Sequence, residues 1–129
     1  MLYRVVWLDA PAPLGEYLYS GFDAMGNLVV TGRLALTSIA ESRLQGAWRL
    51  SRACCPTYPL GPQEGGGKIG GIFSDSTQVI SLNLNPESVD NNIRLRGTAT
   101  ATNITGFWFY EGFGRQQEGG DFEALNITN

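Results

Sequence analysis

Apolar and polar residues alternate with a period of two through most of this chain, and no other feature limits its fold so strongly. From 28 to 36, Leu28, Val30, Gly32, Leu34 and Leu36 fall on one face, and Val29, Thr31, Arg33 and Ala35 on the other. Leu44, Gly46, Trp48 and Leu50 alternate in the same way with Gln45, Ala47 and Arg49. Ile80, Leu82 and Leu84 alternate with Val79, Ser81, Asn83 and Asn85, and Ile93, Leu95, Gly97 and Ala99 with Arg94, Arg96 and Thr98. Successive side chains of a strand point to opposite faces, so these are half-buried strands of an antiparallel sheet, one face in the core and one in water.

Further strands are expected at 2–8, 16–22, 69–73, 104–110 and 121–127. Two of them, 2–8 and 104–110, are apolar on both faces and call for cover on both, by a loop, a short helix or another subunit. Turn chemistry separates the strands. Met25-Gly26-Asn27 reads as a hairpin tip, because Gly and Asn tolerate positive φ. Residues 85–92 form a second link, with one helical turn expected at 87–89, and Thr102-Asn103 a third. The polar, Gly-rich stretch 111–120 reads as a fourth link. Residues 52–68, with Pro56, Pro59, Pro62 and three consecutive glycines at 65–67, form the longest irregular segment. Residues 37–45 fit a short helix capped by Ser38, with Glu41 three positions on. They also fit strand, turn and strand, which is preferred because of an internal echo.

The echo pairs Leu44-Gln45-Gly46-Ala47-Trp48-Arg49-Leu50 with Ile104-Thr105-Gly106-Phe107-Trp108-Phe109-Tyr110. Each follows an alternating strand and a polar turn. A Gly two residues before a Trp lies on the same strand face and leaves room for the indole or its neighbour. Two related sheets, or two halves of one barrel, would produce such a repeat. Gly46-Ala47-Trp48 also resembles the Gly-x-Trp signature of the lipocalins and the wider calycin group. That resemblance implies a small up-and-down barrel of the lipocalin or avidin kind.

Strand number and short links lead to the same expectation without it. The chain is expected to be all-β, one domain over residues 1–129, a single antiparallel up-and-down β-barrel of about eight strands. A β-sandwich is the alternative.

Composition removes several functions. The net charge is −3, with eight of nine basic residues Arg and scattered, so nucleic acid is not expected as a partner. No apolar run approaches the roughly 20 residues that span a bilayer, so no membrane partner is expected. The compartment is cytoplasmic if the chain is complete, and periplasmic or secreted if a signal peptide has been removed. There is no histidine, so a Ser–His or Cys–His pair and an HExxH zinc site are excluded. Adjacent Cys54 and Cys55 lack metal-ligand spacing and read as two free thiols or a vicinal disulfide. The run Gly65-Gly66-Gly67-Lys68-Ile69 has neither the first Gly nor the Ser or Thr of a phosphate-binding loop, and reads as a flexible linker. Asp90-Asn91-Asn92 lacks the spacing of a calcium loop. Asn103-Ile104-Thr105 and Asn126-Ile127-Thr128 fit the glycosylation sequon, which matters only in a eukaryotic secretory pathway. No metal or cofactor is expected.

Three functional readings remain. In the first, the chain is a non-catalytic protein that binds a small apolar or aromatic ligand, with Trp48, Trp108, Tyr110 and Phe122 lining the site. Core packing is the competing role for these rings. In the second it is a structural or interaction module, a homodimer formed through Phe107 and Phe109. In the third it is a carboxylate-based hydrolase using Glu111, Glu118, Asp121 and Glu123.

Overall fold

An open sheet of many alternating strands leaves two raw edges, and closing the sheet on itself removes both. A computed structural model of the chain describes residues 12–53, 63–112 and 115–128, with residues 115–118 traced by backbone alone. Its strands are β1 (Gly15–Phe22), β2 (Leu28–Ala40), β3 (Arg43–Arg52), β4 (Gly65–Phe73), β5 (Val79–Asn83), β6 (Asn91–Ala99), β7 (Asn103–Gly112) and β8 (Arg115–Asn126). Each pairs antiparallel with its neighbour in sequence, and β8 returns to β1 through Tyr17↔Asn126 to Gly21↔Phe122. The result is a closed eight-stranded up-and-down barrel. The sandwich alternative falls at the β1–β8 seam.

The inward positions are mostly those the alternation marks; at the start of β2, Val29 is buried and Leu28 exposed, the reverse of the pattern. Val30, Leu34 and Leu36 of β2 point into the barrel, as do Leu44, Trp48 and Leu50 of β3. Ile80 and Leu82 of β5, Ile93 and Leu95 of β6, and Ile104 and Trp108 of β7 join them, with Tyr17, Tyr19, Ile69, Phe73, Phe122 and Ala124. Eight strands make a lumen just wide enough for such side chains to fill.

The turns follow local rules. Glu41 and Ser42, at φ 52° and 72°, form a two-residue hairpin between β2 and β3, as the strand-turn-strand reading requires. At the β1–β2 tip, Asp23 Oδ1 accepts from the backbone N–H groups of Met25 and Asn27, each at 2.9 Å. The Asn27 amide does most to hold the exposed Asp23 carboxyl below its ordinary value.

Five expectations need correction or stand aside. Gly65, Gly66 and Gly67 are not linker but the first half of β4, recruited by Leu50, Arg49 and Trp48 of β3. Most of 111–120 belongs to β7 and β8, which pair as far as Gly112↔Arg115. Residues 87–89 form no helical turn; a β-turn closes instead by Ser88 N–H donating to Asn85 O at 3.1 Å. The strand expected at 2–8 and the pair Cys54-Cys55 lie outside the described residues.

The glycine of each Gly-x-Trp repeat makes room for backbone rather than for an indole. A Cβ on Gly46 would collide with the Ala35 carbonyl, and one on Gly106 with the Arg96 carbonyl. Neighbouring strands therefore cross there more closely than any side chain permits.

Two buried phenols carry a pH prediction. Tyr19, fully covered, stacks on Phe122 with ring centroids 5.7 Å apart, and its hydroxyl donates to Gln63 Oε1 at 2.7 Å. Burial pushes its ionisation well above the ordinary 10.0, and Tyr17 is raised for the same reason. A raised folded-state value means full stability below the unfolded pKa and a loss as pH rises from there through the folded one. Urea unfolding between pH 8 and 11 should show stability falling above pH 10, by up to about 1.4 kcal/mol per pH unit for a phenol kept neutral by the fold. The slope should flatten in Tyr19→Phe; an unchanged slope would remove Tyr19 as its source.

Candidate functional site

The two Gly-x-Trp strands, β3 and β7, stand four strands apart in a ring of eight and so face each other across the barrel. Their indoles do the same job. Trp48 Nε1–H donates to Leu84 O at 2.7 Å, just past β5, and Trp108 Nε1–H donates to Phe22 O at 2.8 Å, the last residue of β1. Each Trp thus reaches past one strand to pin the end of the next but one. Each lies opposite a glycine: Trp48 opposite Gly67, Trp108 opposite Gly120. The echo seen in the sequence is a pseudo-two-fold axis along the barrel.

The same symmetry places two weak seams in the wall. β4 pairs with β3 from Gly65 to Ile72 but with β5 only from Gly70 to Phe73. Likewise β8 pairs with β7 along its length but with β1 only from Phe122 to Asn126. The cause at β4 is visible at Leu84. Its N–H still donates to Ile93 O at 2.9 Å, but its carbonyl accepts from Trp48, and the β5–β6 ladder ends at Asn83↔Arg94. The chain then turns away around Asn92, whose buried amide donates to Asn83 Oδ1 (3.1 Å), Asn85 O (2.7 Å) and Ser88 O (3.1 Å).

Among the described residues only one seam is filled. At β8 the backbone of Phe22 and Asp23 occupies the place a Cβ on Gly120 would take. At β4 the atoms nearest to a Cβ on Gly67 would be those of the Trp48 indole, at 3.1 to 3.4 Å, and among the described residues one on Gly65 would meet nothing within 4 Å. The seam stays open as a cleft of about 320 Å³ between Gly66-Gly67-Lys68 and Leu84-Asn85-Pro86-Glu87, with Trp48 as its floor. Pro86 overhangs Gly70, and Lys68 Nζ reaches Glu87 at 3.6 Å across the opening, both side chains largely exposed. A broader groove continues over the outer wall, past Arg49, Ala47, Ala35 and Arg33.

The structure does not gather the four expected ligand residues into one pocket. Trp48, 7% exposed, sits under the open seam, and Trp108, 2% exposed, under the filled one. Phe122 is buried against Tyr19, while Tyr110 is half-buried with its hydroxyl donating to Asn91 Oδ1 at 2.8 Å. Of the expected dimer pair, Phe107 is exposed, but Phe109 is buried beside it, ring centroids 5.9 Å apart, with Arg96 over its ring. The carboxylates are dispersed: Glu111 accepts from Arg94 Nε at 2.6 Å, Asp121 and Glu123 stand on the outer face of β8, and the Glu118 side chain lies outside the described set. Among the described residues no cluster of metal-ligating side chains forms. Asn92 and Gln63, both buried, are the polar residues that the sequence reading missed. Gln63 Nε2 has no partner among the described residues, and no sequence signal marks a residue whose role is set by the distant Tyr19 hydroxyl.

Comparison with protein-family models, curated proteins and solved structures found no match to this chain.

The two indole bonds should carry measurable stability. Trp48→Phe leaves the buried Leu84 carbonyl unpaired and Trp108→Phe the partly buried Phe22 carbonyl, at a cost of about 1–3 kcal/mol before any packing loss, least at Phe22. Urea unfolding of the two variants should show both penalties; a Trp48→Phe variant as stable as the parent would mean that the indole does not hold Leu84.

Proposed function

We propose that this chain is a non-catalytic binding protein, a calycin-like barrel that engages its ligand at the open seam beside Trp48 rather than in the lumen. One observation carries the reading: β4 pairs with β5 only from Gly70 onward, so among the described residues Trp48 lies under an opening instead of under a neighbouring strand. An aromatic floor with a few polar groups around it is what small concave binding sites offer. The lumen is the poorer candidate, since Tyr19, Leu34, Leu95, Trp108 and Phe122 already pack it, and a ligand there would have to displace core. Carboxylate chemistry is poorly served, because Asp121 and Glu123 stand on the wall far from the opening and Glu111 is engaged by Arg94. The Gly-x-Trp likeness to calycins supports the architecture, and the seam is what supports this place for the ligand.

Titration of ¹⁵N-labelled protein with small aromatic amides (benzamide and indole-3-carboxamide) checks this reading. Shifts should fall on the Trp48 indole N–H and the amides of 65–68, and leave the Trp108 indole unmoved. If nothing at the seam moves, or the shifts gather at Trp108 and Phe122, the reading fails.

A further inference from the structure

Resting on that reading, we infer that the seam receives an extended polypeptide segment, which adds to the bare edge of β4 and carries acidic residues on either side of an apolar one. The backbone parity sets this up. Phe73 N–H donates toward β3, to Ser42 O at 2.8 Å, and Ser74 N–H toward β5, to Val79 O at 3.0 Å. Strand residues alternate in this respect, so Gly66 and Lys68 direct their N–H and C=O groups into the seam. Neither has a hydrogen-bond partner there among the described residues. Two such residues at strand spacing match the ladder of an added strand, whereas a compact small molecule satisfies one of them.

The faces of the added strand are equally constrained. Its residue opposite Gly67 points inward onto the Trp48 indole, where no side chain of β4 intervenes, so that residue is apolar. Its neighbours, opposite Gly66 and Lys68, point outward. There they meet Lys68 and Arg49, which lies beside Gly66 across the β3–β4 ladder and makes no ion pair among the described residues. Acidic side chains complement both cations; Glu64, which also lines the cleft, is engaged by Arg52 at 3.4 Å. Glu87 already models one such contact with Lys68, and an exposed pair of this kind costs little to exchange. The glycines leave the approach unobstructed. At the lower end, Asn83 takes over the pairing of Gly70 and Pro86 overhangs it, so the segment ends or bends outward there.

The probe is a capped pentapeptide, Glu-Val-Glu-Val-Glu, compared with Lys-Val-Lys-Val-Lys by NMR titration of the whole chain. The acidic peptide should shift the Gly66 and Lys68 amides and the Trp48 indole, slow exchange at both amides, and bind at least about tenfold more tightly than the basic one. Lys68→Glu, which leaves the edge intact, should abolish or reverse that preference. Gly66→Pro deletes an N–H that faces the seam and not β3, and should weaken binding by at least about tenfold with the β3–β4 amides still protected. If small aromatic amides move the seam but neither peptide does, the polypeptide inference falls and the binding reading stands. If neither class moves it, both fall, and Lys68 marks an edge kept blank. Concentration-dependent shifts at Gly66 and Lys68 without peptide would overturn the inference in favour of a second copy of this chain.

Discussion

Two indole N–H groups, each donated to the carbonyl at the end of a strand two places on, organise the upper end of this barrel. A closed sheet of eight strands has no edges, but its strands need not pair along their whole lengths. Where Trp48 takes the Leu84 carbonyl, the β5–β6 ladder stops, and β4 is left with one neighbour over its first half. A buried indole needs a partner for its N–H, so the core residue fixes where the strand end sits, and the loop that follows decides whether the seam is covered.

The pseudo-symmetry makes the opening informative. Trp108, Phe22 and Gly120 repeat the arrangement of Trp48, Leu84 and Gly67 on the opposite side, where the Phe22-Asp23 backbone fills the gap. Among the described residues the chain thus builds the same seam twice, with one sealed and the other bare. The sealed copy shows that the chemistry of the seam does not by itself demand an opening. What differs is the outgoing loop: after Phe22 it folds over Gly120, whereas after Leu84 it is drawn aside by Asn92.

Most of the barrel was legible in the alternation, because a half-buried strand writes its two faces directly into sequence. The four strongest patterns became β2, β3, β5 and β6, and the Gly-x-Trp echo fitted either two related sheets or two halves of one barrel, of which the strands form the second. The first half of β4 was not legible. Three glycines have no strand preference of their own, and only pairing with Trp48, Arg49 and Leu50 makes them a strand. Residues 111–120 were misread for the same reason, polar and glycine-rich composition standing in for conformation. The site was legible only in part: Trp48 stood out as an aromatic on a patterned strand. Its opening depends on where a ladder ends, and that depends on one carbonyl and on the amide of Asn92 far along the chain.

Native-state hydrogen exchange at β4 tests the central claim most directly. The amides of Gly67 and Ile69 face β3 and should be strongly protected, while those of Gly66 and Lys68, facing the seam, should exchange almost as fast as in an unstructured chain. Protection at Gly66 and Lys68 equal to that of their neighbours would mean that the edge is already paired. The open seam, and the binding role built on it, would then be contradicted.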